Sequence, residues 1–279
     1  MCAFLLGLAL PLGGIFIKDM FNTKVQNVSE IEQINGAMIL GELSHKQDKD
    51  ALVINKSSRT TISELFRYIR TNLNYMTENS GNKVMLITSS MKGEGKTFFS
   101  INLGATLSLV DKKVVLLEFD VRKPDLLRNL NMKASIGLND YLNNRCSIDD
   151  IILTSPTQPN LFVVGCGSIP ENPAELLMSS RIPELFEELK ERFDYIIIDT
   201  SPVGQVADAF SLAPYADASI YLVRYNYTNK VQLNILKDIF ENNKLNNPMI
   251  VLNDAKAEGF KGYGYGGYGY GFAQQKAYS

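Results

Sequence analysis

Histidine, cysteine and tryptophan are scarce in this sequence, and their scarcity excludes several kinds of site. Of the 279 residues, one is histidine (His45) and three are cysteines that form no Cys-x-x-Cys pair, while tryptophan is absent. A Ser-His-Asp triad or a histidine-ligated metal would have to use His45. An odd number of cysteines without paired spacing argues against a disulfide framework or a zinc site, and fits a reducing compartment.

The chain also lacks an excess of either charge. Its 28 Lys and Arg residues nearly balance its 30 Asp and Glu residues, so the net charge is −2. This balance gives no indication of a nucleic-acid partner, and we expect none. A chain of this length, with 45% hydrophobic residues, can hold one sizeable α/β domain and short appendages.

Charge is missing from the N-terminus as well, where the first seventeen residues read MCAFLLGLALPLGGIFI. A helix of that length covers about 25 Å, slightly less than the roughly 30 Å hydrocarbon core of a bilayer. The alternatives are a signal peptide, which would begin with basic residues, and a buried core helix, which would carry its apolar residues on one stripe. We therefore expect residues 1–21 to be part of a transmembrane helix; the resemblance described below implies that it lies in the inner (plasma) membrane, with the rest of the chain cytoplasmic.

The remaining sequence divides into three segments. Residues 22–57 are polar and mixed, which predicts a juxtamembrane connector. In residues 58–255, a helical pattern at 58–78 is followed by continuous apolar runs that alternate with helical patterns, which predicts a mostly parallel sheet covered by helices on both faces. Residues 256–279 include GFKGYGYGGYGYG, and this composition predicts a disordered tail.

A phosphate-binding loop is the strongest motif. The predicted strand KVMLITSS is followed by SMKGEGKT, Ser90 to Thr97, and then by an apolar helix. Glycines let backbone N–H groups converge on phosphate oxygens at the start of a helix, the lysine reaches the β- and γ-phosphates, and the Thr hydroxyl binds Mg²⁺. An ordinary glycine turn is the alternative. The predicted nucleotide contacts are Lys92, Gly93, Glu94, Gly95, Lys96, Thr97 and Phe98.

Further polar residues end other predicted strands. Glu118, Asp120 and Arg122 follow one apolar run, and Asp199 ends another. Ligands of open α/β sheets bind at this edge, so Asp120 and Asp199 are predicted to join Thr97 in organising Mg²⁺, and Arg122 to contact nucleotide. Asn253 follows the last predicted strand, where it would either contact the adenine edge or serve as a turn residue.

These motifs together resemble the MinD/ParA-like ATPases and, within them, the bacterial tyrosine kinases (BY-kinases) of capsule and exopolysaccharide export. The similar stretches are LLEFDVRKP, the segment from PENPAELL to YIIIDTSP, ADASIYLVR, and a Glu-x-x-Arg-x-x-Arg helix formed by Glu64, Arg67 and Arg70. Glu118 stands where the family usually has Asp, and the usual proline of the phosphate loop is missing.

The resemblance implies a kinase domain at 58–255 that uses ATP and Mg²⁺ and phosphorylates tyrosine, with Lys96, Glu118, Asp120 and Asp199 as its catalytic groups. Glu118 or Asp120 would accept the tyrosine proton. The implied phosphate acceptors are the tail residues Tyr263, Tyr265, Tyr268, Tyr270 and Tyr278. Phosphorylation would occur chiefly between neighbouring subunits of a ring, in which Glu64, Arg67 and Arg70 contact the next subunit.

A phosphotyrosine phosphatase and polysaccharide export proteins are the further partners that this resemblance implies. Two other functions remain open at this point. The chain would instead be an ATPase switch that localises a partner, or an export regulator that binds nucleotide without catalysis.

Overall fold

A single sheet of eight strands organises the part of the chain that the structure describes. The structure is a computed structural model, and it describes residues 22–46, 50–77 and 84–255. The predicted membrane helix and the predicted tail lie outside these residues. Among the helices of the described ranges, none combines the length and the apolar character needed to cross a bilayer.

The strands alternate with helices along the chain. The strands are β1 (Met38–Ser44), β2 (Val84–Ser89), β3 (Val114–Glu118), β4 (Leu153–Thr154), β5 (Leu161–Val164), β6 (Tyr195–Asp199), β7 (Ala218–Arg224) and β8 (Pro248–Ala255). The α-helices are α1 (Ser29–Glu32), α2 (Thr61–Thr77), α3 (Lys96–Ser108), α4 (Leu126–Asn129), α5 (Leu138–Leu142), α6 (Pro173–Leu176), α7 (Arg181–Arg192), α8 (Asp208–Leu212) and α9 (Leu233–Glu241). Two 3₁₀ turns lie at Ala213–Tyr215 and Lys230–Gln232.

The predicted mostly parallel α/β sheet is confirmed. Its spatial order is β1-β8-β7-β2-β6-β3-β5-β4, and every neighbouring pair is parallel except β4 and β5. From β2 the chain moves to β3 on one side, and later through β6 to β7 and β8 on the other. Ligands of such sheets bind where the direction of strand addition reverses, so the carboxyl ends of β2, β6 and β3 are the expected site.

Helices bury both faces of the sheet, as the continuous apolar runs predicted. On one face, Phe66 of α2 and Phe99 of α3 are fully buried with their ring centroids 5.8 Å apart. On the other face, Phe186 of α7 stacks between Phe119 and Tyr215, with centroid distances of 6.4 and 5.0 Å. Burial on both faces explains why β2 and β3 carry no alternating polar residues.

The predicted connector at 22–57 requires a correction. Residues 38–44 of that segment form β1, which pairs parallel to β8 at the edge of the sheet. Gly41 conceals this strand in the sequence, but the structure uses it, because a Cβ there would lie 2.8 Å from Ile69 of α2. Farther upstream, Val25 is fully buried and its N–H donates to the Thr228 carbonyl at 2.9 Å. This segment is therefore part of the domain.

Candidate functional site at the carboxyl edge of the sheet

The loop between β2 and α3 has the strand–loop–helix geometry predicted for a phosphate site. Gly93 and Gly95 have φ values of +87° and +99°, a region that side chains with a Cβ rarely adopt. Helix α3 begins directly after Gly95 and runs for 13 residues. The first N–H groups of such a helix have no intrahelical acceptor, and its dipole favours an anion there.

Lys96 is the cation of this loop and is nearly buried. Its side chain is on a residue only 7% exposed, and its Nζ lies 3.3 Å from Ser89 Oγ at the end of β2. Burial lowers the pKa of Lys96, and the nearby carboxylates of Asp199, Asp120 and Glu94 oppose that shift. An anion bound in the loop would compensate the cost of burying this ammonium group.

Asp199 ends β6 beside Lys96 and is 1% exposed. Ser100 Oγ donates to its Oδ1 at 3.2 Å, and the Thr97 hydroxyl also donates to it. Burial raises the pKa of Asp199 to about 7, with the charges of Asp120 and Glu118 adding to the rise and Thr97 and Lys96 opposing it. The sheet therefore concentrates negative charge at one buried point.

The carboxylates of Glu118 and Asp120 have different hydrogen-bond partners and different exposure, although the two residues are only two positions apart. Glu118 is paired with Asp199 in the register of β3 and β6, and is 2% exposed. Its carboxylate accepts hydrogen bonds from the backbone N–H groups of Leu126 and Cys166, and burial raises its pKa. Asp120 is partly exposed and accepts from Ser201 Oγ at 3.0 Å. Its role and that of Glu118 in catalysis stay predictions, but only Asp120 is accessible.

The oxygen ligands of this edge fit the predicted magnesium ion. Thr97, Asp120 and Asp199 offer a hydroxyl and two carboxylates, and Mg²⁺ prefers such hard ligands while keeping waters and substrate phosphates in its shell. Asp199 is buried, and burial raises its pKa, so nearby positive charge would favour its anionic form. A divalent cation would provide that charge.

Two predicted nucleotide contacts have intramolecular partners instead. The guanidinium of Arg122 pairs with the buried carboxylate of Asp208, the first residue of α8, with distances of 3.1 and 3.4 Å. The Phe98 ring packs edge-on against Phe66, with a centroid distance of 6.0 Å. Both residues lie near the loop, and their contacts with nucleotide stay predictions.

The phosphate loop carries an exposed basic residue, Lys92, and a buried acidic residue, Glu94. Lys92 is exposed, and the neighbouring Lys123 lowers its pKa through a hydrogen bond and charge repulsion. Glu94 is fully buried, and its carboxylate accepts from Ser90 Oγ, the Met91 N–H and the Thr228 hydroxyl. Glu94 thus holds the shape of the loop with its side chain, so that its contribution to a ligand would come from its backbone.

Asn253 lies under the loop rather than in an open cleft. It is 8% exposed, and its Nδ2 donates to the Glu94 carbonyl at 2.8 Å. A Cβ on Gly95 would lie 2.2 Å from that nitrogen, which explains the glycine at this position. Asn253 also precedes the end of β8 by two residues, so it is not a turn residue.

Sequence reasoning missed several residues that shape the site. Arg224 and Tyr227, at and after the end of β7, donate to the carbonyls of Gly93 and Lys92 at 2.7 and 2.8 Å. Ser201 and Asp208 hold Asp120 and Arg122. The signal that the sequence offered was position, since Arg224 ends β7 and Asn253 is its partner in the neighbouring parallel strand β8.

Comparison with known proteins agrees with this site. Residues 82–251 match a family described as an AAA domain. The tyrosine-protein kinase YwqD of Bacillus subtilis is 33% identical over 213 residues, which cover 76% of this chain and 90% of that protein. The chain belongs to the bacterial tyrosine-protein kinases.

Other members of the family extend this result. The Wzc tyrosine-protein kinase of Salmonella typhimurium is 28% identical over 280 residues, which cover 94% of this chain but 39% of that protein. The chain spans between 29% and 39% of the length of several such relatives.

A solved structure agrees with the same assignment. The chimerical protein CapA2B2 superposes with a TM-score of 0.76 and 28% identity, covering 82% of this chain and all of that one. The archaeal MinD of Pyrococcus horikoshii, complexed with Mg-ADP, has a TM-score of 0.52 and 21% identity, covers 61% of this chain and 70% of its own, and shows the fold alone.

The buried position of Asp199 predicts a pH-dependent contribution to stability. Its pKa is raised from 3.8 to about 7 in the folded chain, so the folded state retains a proton that an unfolded aspartate has lost. The stability that Asp199 provides is full below about pH 4 and is lost as the pH rises through about 7.

We therefore expect the free energy of unfolding of the unsubstituted chain, minus that of Asp199→Asn, to fall between about pH 5 and about pH 8. Urea unfolding at a series of pH values measures it. Asp150→Asn is the control, because Ser147 lowers the pKa of Asp150 and its difference should stay flat in that range. A difference that did not change with pH for Asp199→Asn would contradict a raised pKa of Asp199 in the folded chain.

Proposed function

We propose that this chain is an ATP-dependent protein-tyrosine kinase that phosphorylates the tyrosines of its own C-terminal segment, chiefly between subunits. The observation that carries the proposal is the loop from Ser90 to Lys96, which lies beside the carboxylates of Asp120 and Asp199 at the edge where ligands of such sheets bind. Its membership of the bacterial tyrosine-protein kinases supports the same reaction.

The proposed reaction transfers the γ-phosphoryl group of ATP to a tyrosine oxygen: the bond between the γ-phosphorus and the bridging oxygen of ADP breaks, the bond to the tyrosine oxygen forms, and ADP leaves. The loop amides and the Lys96 ammonium bind the phosphates and neutralise charge on the transferred group. Thr97, Asp120 and Asp199 hold Mg²⁺, which when bound neutralises phosphate charge. Asp120 is the better acceptor for the tyrosine proton, because the Glu118 carboxylate is buried and occupied by two backbone N–H groups.

The acceptor tyrosines of the proposal lie at 263–278, outside the described residues. Glycines lie between them in the sequence, and glycine-rich linkers can adopt the conformations that a hydroxyl would need in order to reach the γ-phosphate in line. We also propose that residues 1–21 anchor the chain in the plasma membrane, which flotation of the protein with vesicles tests, and that a phosphatase and polysaccharide export proteins are its partners, which co-purification tests.

Incubation with ATP and Mg²⁺ tests the proposed reaction. We expect phosphotyrosine on the unsubstituted chain, and a loss of at least about 100-fold in the initial rate with Lys96→Met, because this variant removes the charge that faces the transferred group. Anti-phosphotyrosine blotting and mass spectrometry measure the product. ATP hydrolysis without phosphotyrosine would favour an ATPase switch, and nucleotide binding without either product would favour a non-catalytic regulator.

Replacing the five tail tyrosines by Phe tests the acceptor. We expect nucleotide binding to persist and most of the phosphotyrosine to disappear, because the phosphate acceptors are removed while the described site is unchanged.

The same variant tests whether phosphorylation controls assembly. Each phosphate adds roughly −1.5 to −2 charges, so phosphorylated tails would be repelled by the acidic edge, and we expect the Phe variant to stay assembled in ATP. Retention of most of the label would exclude the tail as main acceptor, and disassembly in ATP would exclude the charge switch.

The proposed ring contact uses Glu64, Arg67 and Arg70. Glu64 is 61% exposed and pairs with Arg67, so this pair is accessible to another subunit. Arg70 has an internal partner as well, since its NH1 donates to the Thr106 carbonyl in the last turn of α3 at 2.9 Å. The Arg70 contact therefore fixes α2 against α3 within one subunit.

We expect Arg67→Ala/Arg70→Ala to lower the oligomer mass in light scattering while ATP binding persists, since the proposed intersubunit contacts are lost and the loop is unchanged. Arg192→Ala is the matched control, because Arg192, the last residue of α7, forms ion pairs with Asp149 and Glu188 away from α2. Circular dichroism checks that the loss of the Arg70 contact leaves the fold intact. An unchanged mass would limit these arginines to their contacts within one subunit.

A further inference from the structure

Three consecutive carbonyl groups of the phosphate loop are each held by a side chain from the β7–β8 side of the sheet. Tyr227 donates to the Lys92 carbonyl at 2.8 Å, and Arg224 to the Gly93 carbonyl at 2.7 Å. Asn253 donates to the Glu94 carbonyl at 2.8 Å. The donors come from positions more than 130 residues along the chain.

A held carbonyl also fixes the amide that follows it. The peptide unit is planar and trans, so its C=O and N–H point in opposite directions. Anchoring the three carbonyls toward β7 and β8 therefore turns the N–H groups of Gly93, Glu94 and Gly95 to the other side of the loop. Within the described part of the chain, the N–H groups of Gly93 and Gly95 have no hydrogen-bond acceptor, while the turn at residues 92–93 directs the Glu94 N–H toward the Met91 carbonyl. N–H groups of a turn that point to the same side form an anion-binding concavity.

Arg224 is itself oriented by an ion pair. Its Nε and NH2 both lie 2.9 Å from Oδ2 of Asp254, which leaves NH1 for the Gly93 carbonyl. The other carboxylate oxygen of Asp254 contacts Nδ1 of His45 at 2.5 Å. Because the guanidinium is planar and carries its donors in a fixed fork, Asp254 determines where NH1 points.

We propose that Tyr227, Arg224 and Asn253 are positioning residues that direct the loop N–H groups toward the phosphates of the bound nucleotide, with Asp254 aligning Arg224. This inference rests on the proposed nucleotide site and adds the residues that shape it. It predicts that the loss of these side chains weakens the binding of phosphate groups specifically, whether or not a base is attached.

A different role for the same residues would concern the base. Arg224 and Tyr227 also line an open cavity of about 250 Å³ next to the loop, together with His45 and Asp254. Side chains that contacted only the base would alter ADP binding and leave pyrophosphate binding unchanged. The two ligands therefore separate the roles.

The experiment measures the dissociation constants of Mg·ADP and Mg·pyrophosphate by calorimetry for the unsubstituted chain and its variants. We expect Arg224→Gln to weaken both ligands by about tenfold, and Tyr227→Phe, which removes one hydroxyl, by about threefold. Arg192→Gln is the matched control and should leave both unchanged. Thermal unfolding without ligand records any separate effect on the fold.

A double-mutant cycle tests the alignment by Asp254. Asp254 has φ +63°, a conformation that Asn also adopts readily, so Asp254→Asn is compatible with the backbone. If Asp254 acts through Arg224, the double variant Arg224→Gln/Asp254→Asn binds pyrophosphate no more weakly than Arg224→Gln alone. Additive losses would overturn the alignment.

The remaining outcomes are also decisive. Pyrophosphate affinities within twofold of the unsubstituted value in both Arg224→Gln and Tyr227→Phe would overturn the inference and leave the proposed function intact. If the folded, unsubstituted chain bound neither ligand, the proposed function would fail, and this inference with it. If Arg224→Gln did not fold, Tyr227→Phe alone would decide between these results.

Discussion

The burial of Lys96 and Asp199 is the constraint on which the site depends. Parallel pairing of β2 with β6 brings Asp199 beside the start of the phosphate loop, and the loop then folds Lys96 down to Ser89. Each residue is nearly inaccessible to water, and burial shifts the pKa of each toward the neutral form. A buried charge is stabilised by groups of opposite charge and by hydrogen bonds. Burial thus favours an anion beside Lys96 and a cation beside Asp199, which would add to this stabilisation.

The three acidic residues at the carboxyl edge of the sheet differ in what surrounds their carboxylates. Register between β3 and β6 places Glu118 next to Asp199, where two ionised carboxylates would repel each other. Backbone N–H groups of Leu126 and Cys166 offset that repulsion by holding Glu118 in place. The Glu118 carboxylate is thereby occupied by backbone contacts, and the partly exposed Asp120 is the more accessible of the two carboxylates.

Sequence patterns predicted those structural features that are determined by residues close together in the chain. The long apolar runs predicted the six central and adjoining strands, and the glycines with Lys96 and Thr97 predicted the loop, because both are properties of contiguous segments. Strand β1 was missed, since its pairing with β8 and not its own pattern stabilises it. Arg122 follows β3 and Asn253 lies near the end of β8, but their partners Asp208 and Glu94 are 86 and 159 residues away, and no spacing rule gives such pairs. The sequence therefore located the site but not the contacts that support it.

Support from outside the loop has a physical reason. A glycine-rich segment loses much conformational entropy when it is ordered, and a ligand that had to order it would bind more weakly by that amount. Gly93 and Gly95 are needed for the turn itself and carry no side chains that could stiffen it, while the Glu94 carboxylate holds Ser90 and Met91 within the loop. Further rigidity comes from Arg224 and Tyr227, at and after the end of β7, and from Asn253 of β8. Tying the loop carbonyls to those strands orders the segment during folding, so that phosphate binding need not supply the ordering free energy.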